Sequence, residues 1–118
     1  MRDHGLIKGF TAAGAVAKHR FVAVAVDGDG VQASAATDAI IGASTVVDTA
    51  SGGTLDVVMT GVAEVEAGGV VNAGDRVTAD ADGKAVSTTT GGDRLGGTAL
   101  TDAAAGDIFP VFILPGTL

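Results

Sequence analysis

The feature that most constrains the fold of this chain is a long stretch of alternating side chains from Thr54 to Glu66. Every second residue in it, starting from Leu55, is nonpolar, and most of the residues between them are polar or charged. A period of two is typical of a β-strand with one face buried and the other in water. We expect the buried face to supply core residues, namely Leu55, Val57, Met59, Ala63 and Val65.

The sequence that follows this strand predicts a hairpin of two shorter strands. Asn72–Asp75 and Asp82–Gly83 are rich in the Asn, Asp and Gly residues that favour turns. The segments after these two turns, Arg76–Ala79 and Lys84–Val86, are short and partly apolar. We therefore predict a strand in each segment, with a tight turn at Asp82–Gly83 between them.

Composition extends this interpretation to the whole chain. The 118 residues include 19 Gly and only two Pro, and a glycine inside a helix costs about 1 kcal/mol relative to alanine. We therefore predict an all-β fold, a compact β-barrel or β-sandwich of short antiparallel strands. Helical structure should amount at most to one turn near residues 37–43 and another near residues 101–105, and residues 39–43 fit a strand as well as a helical turn.

The two ends of the chain differ from its middle. We expect residues 1–10 to form an extended arm, which lies along a neighbouring chain or along the protein's own sheet edge, and residues 11–118 to form a single β-domain. The last predicted strand, from Ile108 to Leu114, contains Pro110, which cannot donate a backbone hydrogen bond, so we expect an edge or bulged strand. A partner subunit or the arm should cover that edge.

This placement suggests an interface with another protein chain. We expect Phe109 and Phe112 to share one face of the last strand, opposite Ile108 and Val111. The candidate residues for an interface with another chain, a second copy or a different partner, are the large apolar ones of the arm and the last strand: Leu6, Ile7, Phe10, Phe109 and Phe112.

A repeat divides the chain into two similar halves. Short glycine-containing and apolar segments recur in the same order at an offset of 53 to 55 residues, for example Gly53-Thr54-Leu55 and Gly106-Asp107-Ile108. A constant offset over several segments is the signature of an internal repeat. We predict two similar β-units, within residues 14–55 and 69–108, that pack as one domain.

Charge and cysteine content bound the possible partners and surroundings. The formal net charge is −7, and the seven Lys and Arg residues are scattered, so no basic patch is available to neutralise phosphates and we expect no nucleic-acid partner. No segment approaches the roughly 20 apolar residues of a membrane-spanning helix, and residues 1–10 lack the apolar core of a signal peptide. The absence of cysteine is consistent with a reducing cytoplasm.

The residues that could carry chemistry have simpler interpretations. Asp27-Gly28-Asp29-Gly30 has the alternating carboxylates of a calcium loop, but position twelve of such a loop would be Asp38 instead of a bidentate Glu, so we predict a turn. His4 and His19 lack ligand spacing for zinc. No segment has the pattern of a nucleophile elbow, a phosphate loop or a reactive thiol. We therefore expect no catalytic residue, no metal and no cofactor.

One alternative involves a modified lysine. Lys84 follows a predicted turn between two similar halves, and this arrangement resembles that of biotinyl and lipoyl carrier domains. The residue before it, however, is Gly83, and the repeat places Val31 at the equivalent position. The alternative function is therefore a carrier or small-ligand-binding β-domain, which a mass increment on Lys84 would reveal.

An ordered set of short motifs points to another family. The set includes Gly53-Thr54-Leu55-Asp56-Val57, Gly74-Asp75-Arg76-Val77, Asp82-Gly83-Lys84-Ala85 and Gly97-Thr98-Ala99-Leu100. In this order the motifs resemble the small capsid cement, or decoration, proteins of tailed bacteriophages, and the resemblance covers about residues 11 to 114.

The resemblance implies a compact β-rich protein without catalysis. Such a protein assembles as an oligomer on the outer surface of the phage head and clamps neighbouring major capsid subunits. It implies a homotrimer, with a dimer as the nearest competitor, that is made in the cytoplasm of a bacterial host and resides in the virion.

Overall fold

The computed structural model describes residues 3–25 and 27–118, and in that part of the chain the regular structure consists of nine β-strands and no helix. The strands are β1 (Asp3–Thr11), β2 (Phe21–Val24), β3 (Gly30–Gln32), β4 (Ile40–Ser44), β5 (Thr54–Glu66), β6 (Arg76–Ala79), β7 (Ala85–Ser87), β8 (Arg94–Ala99) and β9 (Ile108–Thr117). Met1 and Arg2 of the predicted arm and Val26 lie outside the described residues. The all-β prediction is confirmed.

All nine strands belong to one antiparallel sheet, ordered β3-β2-β4-β5-β9-β8-β6-β7 with β1 beside β5. Val57 and Val58 pair with both β1 and β4, and Gly61 and Val62 pair with both β1 and β9. Because a strand has only two edges, β1 lies on one side of β5, and β4 and β9 share the other side. The described pairings do not close the sheet into a barrel, and the fold is sandwich-like.

The strand order reads the same from both ends, as two similar halves predict. The path β3-β2-β4-β5 corresponds to β7-β6-β8-β9. Isolated contacts recur as well: the Val16 amide donates to the Thr49 carbonyl at 2.9 Å, and the Val71 amide donates to the Ala103 carbonyl at 2.9 Å. We call β1–β4 with the first part of β5 the first unit, and the rest of β5 with β6–β9 the second unit.

Strand β5 belongs to both units. Its beginning pairs with β1, where Thr54 lies opposite Thr11, and its end pairs with β9, where Glu66 lies opposite Ile108. The end of β5 therefore has the position in the second unit that β1 has in the first. The alternating stretch of the sequence is long because one strand provides a pairing partner in both units.

Two apolar clusters form the core. The small cluster consists of Ala12, Val16, Val22, Leu55 and Val57, with the partly buried Phe10, Ile41 and Met59 against it. The large cluster contains the corresponding residues of the second unit, among them Val71, Val77, Phe109, Val111 and Ile113. It also contains Phe21, Ala23, Ile40, Ala43 and Val58, which come from the first unit.

The predicted buried row of β5 is divided between these clusters. Leu55 and Val57 belong to the small cluster, whereas Ala63 and Val65 belong to the large one together with Val58. Val58 and Ala63 have opposite parity, so the alternation is interrupted between them. The interruption coincides with Gly61, whose φ of 98° suits glycine, and with register shifts in the β1 pairing. Leu55, Val57, Ala63 and Val65 are buried as predicted, whereas Met59 is only partly buried, and the interruption divides the row between two clusters.

The uncertain segment around residues 39–43 is a strand. A turn covers residues 35–38, and β4 follows from Ile40. Residues 101–107 contain a bend and a turn but no helix. The hairpin at Asp82–Gly83 is present between β6 and β7, and Gly83 has a φ of 75°.

Strand β9 is central, which corrects the edge position predicted from Pro110, and its pairing with β8 shifts register between Ile113 and Gly116, away from Pro110. It lies between β5 and β8, and Pro110 is opposite Glu64. The Pro110 carbonyl accepts a hydrogen bond from the Leu100 amide at 3.1 Å, so the Pro110 nitrogen also points to the β8 side, where β8 has ended at Ala99. The missing donor therefore removes no bond from the ladder with β5.

Candidate interaction surfaces

We call the contact between the first unit and the second unit the joint. The first unit places one face of β2, β4 and β5 against the inner face of the second unit, and the ring of Phe21 lies where a side chain at Gly96 would point. Backbone hydrogen bonds support the joint: the Phe21 amide donates to the Gly83 carbonyl at 2.8 Å, and the Glu66 amide donates to the His19 carbonyl at 3.0 Å. The joint is an apolar contact with a polar rim.

Ion pairs on Glu66 reinforce this rim. The Glu66 carboxylate lies 2.9 Å from Nη1 of Arg20, in the first unit, and 3.2 Å from Nζ of Lys84, in the second. Desolvation by burial raises the pKa of the Glu66 carboxyl, but the hydrogen bonds and charges of Lys84 and Arg20 lower it by more, so the net shift is downward. Glu66 therefore remains charged and holds the two units together.

Lys84 is engaged in this cluster. Its ammonium group is paired with Glu66, and its side chain has a relative exposure of 28%. A carrier lysine must reach other active sites from the tip of a turn, whereas Lys84 is held at the joint. This geometry gives no support to the carrier alternative.

The other polar residues singled out in the sequence have local roles. The Asp27 carboxylate accepts a hydrogen bond from the Asp29 amide at 3.2 Å, and Gly28 has a φ of 87°, which confirms the turn. Nδ1 of His19 lies 3.0 Å from the Glu64 carbonyl, and His4 lies in β1 opposite Gly61. Within residues 3–25 and 27–118 no group of three or more His, Cys, Asp or Glu residues is arranged to hold a metal ion.

The first exposed surface is the outer side of β1. In the described part of the chain β1 pairs as a strand only with β5, which leaves its other edge open. The side chains of Leu6 and Ile7 are 52% and 45% exposed. Phe10 is partly buried because it packs against the small cluster, and Nζ of Lys8 lies 5.8 Å from the centre of its ring.

The second exposed surface is the outward row of β9. Ile108, Phe112 and Leu114 are 44%, 41% and 58% exposed, while Phe109, Val111 and Ile113 are buried. The predicted pairing of Phe109 with Phe112 on one face was wrong, because the strand alternates with a strict period of two. Phe109 fills the large cluster, so of the two phenylalanines only Phe112 offers surface to a partner.

The outward row of β9 is part of an exposed face of the second unit. The corresponding face of the first unit is buried in the joint. Phe21, Ala43 and Val58 lie opposite one another in neighbouring strands of the first unit, and Arg76, Thr98 and Phe112 do so in the second. These residues therefore correspond, and the observed pairing shifts the correspondence of β5 with β9 by one residue from that expected from the sequence repeat. We call the exposed face the outer face of the second unit. It contains an open depression lined by Arg76, Leu95, Gly97, Thr98 and Leu114–Thr117.

A third surface is the rim of the small cluster. The core residues of the first unit's inner face are as deeply buried as those of the second unit, with exposures of 0–2% for Ala12, Val16, Val22, Leu55 and Val57. The rim residues of the small cluster, Phe10, Ile41 and Met59, remain partly exposed. Sequence reasoning missed Ile41 and Leu114, and it placed Met59 in the core. A comparison of the side chains at equivalent positions of the two repeats was the sequence signal that could have identified these rim residues.

Comparisons with known proteins agree with this fold. The family model described as phage cement protein matches residues 2–113. The crystal structure of the head fiber gp8.5 N base in bacteriophage phi29 superposes with a TM-score of 0.70 at 23% sequence identity, covering 96% of this chain and 97% of that chain. No curated protein sequence matches this chain significantly. The head fiber likeness shows a shared fold, whereas the family match covers nearly the whole sequence.

Proposed function

This chain belongs to the phage cement protein family and is a structural protein of a phage capsid, and from that premise we propose that it binds the outer surface of an assembled head and stabilises the contacts between major capsid subunits. The family match over residues 2–113 carries this proposal. In this role the protein acts by adding buried surface across a joint and performs no catalysis.

The open side of β1 supplies a suitable contact for the capsid. A sheet edge presents unpaired backbone donors and acceptors that can pair with a strand of another chain. Leu6 and Ile7 beside this edge add apolar area that a partner would remove from water. We therefore assign Leu6 and Ile7 to the contact with the major capsid protein.

The net charge is consistent with a location on the outside of the head. A chain with a charge of −7 is repelled by packaged DNA. We propose that the protein is made in the cytoplasm of a bacterial host and is then added to the outer surface of the virion. Repetition of a weak contact around the head would produce a large total effect, because linked contacts add their strengths.

The same role favours a homotrimer, which would cover the three-fold joints between capsid subunits. A dimer on two-fold joints is the competing arrangement. Phe10, at the rim of the small cluster, and Phe112, in the outward row of β9, are proposed as contacts within the oligomer.

Expanded heads that lack the protein provide the test. Wild-type protein should bind them to a saturating stoichiometry and raise the temperature at which they rupture. The variants Leu6→Lys and Ile7→Lys should bind more weakly, while Val70→Lys, at a position that is 76% exposed, should bind as wild type does. Failure of the wild-type protein to bind, or binding without a higher rupture temperature, would contradict the proposal.

A further inference from the structure

A notch between the end of β5 and the turn from β6 to β7 holds a short segment of the first unit. The Glu66 amide donates a hydrogen bond to the His19 carbonyl at 3.0 Å. Nδ1 of His19 lies 3.0 Å from the Glu64 carbonyl, and it is the donor because a carbonyl can only accept. The Phe21 amide donates to the Gly83 carbonyl at 2.8 Å. We call this site, with its three backbone groups, the β5 notch.

The backbone of the first unit repeats this site between β1 and the turn from β2 to β3. The parallel bridge of Ala12 with Gly30 corresponds to that of Ala67 with Ala85. At the same offset, the groups that match Glu64, Glu66 and Gly83 belong to Gly9, Thr11 and Gly28. We call the site formed by these three residues the β1 notch.

The strand side of the β1 notch is open. The Ala12 amide donates to the Gly53 carbonyl at 2.9 Å, on the β5 side of the strand. Backbone groups alternate in direction along an antiparallel strand, so those of Gly9 and Thr11 point away from β5. Both residues are exposed. The Thr11 amide and the Gly9 carbonyl are therefore accessible to another chain.

The turn side of the β1 notch is open as well. Gly28 and Gly83 have φ angles of 87° and 75° and occupy equivalent turns. Gly83 is buried, and a Cβ atom on it would lie 2.9 Å from the Ala33 carbonyl oxygen. Gly28 is exposed, and apart from its neighbours in sequence no atom of the described residues lies within 4 Å of a Cβ atom placed on it. The β1 notch thus has the backbone of the β5 notch and an accessible surface.

We propose that the β1 notch binds a short basic segment of the major capsid protein in the way that the β5 notch binds residues 19–21. The inference rests on the proposed function and adds the chemistry of the contact. The bound segment supplies a carbonyl to the Thr11 amide, a side-chain donor to the Gly9 carbonyl and a backbone amide to the Gly28 carbonyl. Such main-chain bonds to an open sheet edge are a common mode of peptide recognition.

Charge selects a basic segment. In the β5 notch, Arg20 of the bound segment and Lys84 share the Glu66 carboxylate, at 2.9 Å and 3.2 Å. In the β1 notch the positions of Glu66 and Lys84 are held by Thr11 and Asp29. Asp29 forms no ion pair within the part of the chain that the structure describes. A Lys or Arg in the middle of the bound segment therefore meets an opposite charge.

A second copy of this chain does not supply a matching segment. Its own counterpart of residues 19–21 is Gly74-Asp75-Arg76. Gly74 has no side chain to donate to the Gly9 carbonyl, and Asp75 would bring a second carboxylate to Asp29. These mismatches favour a different protein as the partner.

A synthetic peptide tests the β1 notch without the capsid. The probe is AKHRFVA with capped ends, the chain's own residues 17–23, because the β5 notch binds this segment. Titrated into isotope-labelled wild-type protein, it should shift the amide resonances of Gly9, Thr11 and Gly28. The peptide AKHEFVA, with Glu in place of Arg20, should bind about fivefold more weakly at low salt, which is the size of an exposed ion pair.

Variants of the whole protein connect the β1 notch with head binding. Thr11→Pro removes the outward amide and leaves the ladder with β5 intact, so it should weaken binding of both the peptide and expanded heads. Thr11→Val keeps the amide and should bind as wild type does. Asp29→Lys should weaken both interactions by at least about fivefold, and Asp82→Lys, the same charge change at an exposed position in the turn of the second unit, is its control. Each variant is first shown to melt as wild type does.

The two measurements separate this inference from the proposed function. A titration that leaves the amides of Gly9, Thr11 and Gly28 unshifted would overturn the inference, as would head binding by Thr11→Pro and Asp29→Lys that equals that of wild type. Wild-type protein that binds the peptide at the β1 notch but does not bind heads would overturn the proposed function and the identity of the partner, while supporting the chemistry assigned to the notch.

Discussion

The two units have the same backbone plan, but the outer face is buried in the first unit and exposed in the second. Phe21, Ala43 and Val58 are buried at the joint, and their counterparts Arg76, Thr98 and Phe112 face outward. The difference shows that side chains, more than strand order, decide which surfaces close within one molecule. The surfaces that remain open are those through which the molecule can join others.

The backbone constraints are shared by both units. Gly42 and Gly97 occupy corresponding positions, and a Cβ atom on either would collide with a backbone carbonyl, that of Val58 in one case and that of Phe112 in the other. Each glycine therefore allows close approach of a long strand to its neighbour. The close approach is common to both units, whereas their exposed side chains differ.

The largest expected effect tests whether both units need their cores equally. Val57 and Val111 are corresponding residues with 0% exposure, and a buried carboxylate without a partner costs several kcal/mol. Because a typical domain is stable by only about 5–15 kcal/mol, Val57→Asp and Val111→Asp should each prevent folding, as measured by circular dichroism. Val47→Asp is the exposed control. A folded Val57→Asp variant would show that the small cluster is dispensable.

A smaller effect should distinguish the two outer faces. Phe21→Ala removes a fully buried ring from the joint and should cost about 3–5 kcal/mol. Arg76→Ala, at the corresponding position of the second unit, should change the free energy of unfolding by no more than about 0.5 kcal/mol. Urea denaturation of the monomeric chain measures both. Equal losses would mean that the outer face of the second unit is closed within the chain.

The smallest effect concerns the ion pairs, which only the internal joint possesses. The pKa of the Glu66 carboxyl is lowered from its ordinary value of 4.5. The stability that it contributes is therefore present above this value and is lost as the pH falls through the lower, folded-state pKa. Glu66→Gln should destabilise the protein by about 1 kcal/mol or less at neutral pH and by less as the pH falls below 4.5.

Thermal melts over a pH series provide this measurement. Asp56→Asn removes an exposed carboxylate from the same strand and serves as the control. A destabilisation by Glu66→Gln that stayed constant down to the lowest pH would show that the carboxylate charge does not hold the units together.

Local patterns in the sequence predicted most of the fold. Alternation predicted β5, and Asp and Gly residues predicted the hairpin at Asp82–Gly83. These features depend on neighbours in sequence, which a sequence displays directly. The same local logic failed at Pro110, because whether a missing donor matters depends on where β8 ends, and that is a property of the assembled sheet.

The candidate surfaces were predicted less completely. Leu6, Ile7 and Phe112 are exposed, but Phe109 is buried because a period of two places it on the opposite side of β9 from Phe112. Ile41 and Leu114 were not identified, since an apolar residue in a short strand gives no local sign of the face that it occupies. The sequence repeat was recognised mainly from its glycines. A comparison of the other side chains at equivalent positions relates an exposed residue in one unit to its buried counterpart in the other.

The sharing of β5 has a consequence for how the molecule unfolds. In a string of separate repeats, one end can fray while the others stay folded. Here the strand that completes the first unit also begins the second, so loss of either unit strips pairing from the other. The two units therefore form one cooperative folding unit, and a force that pulls on one of them is resisted by both.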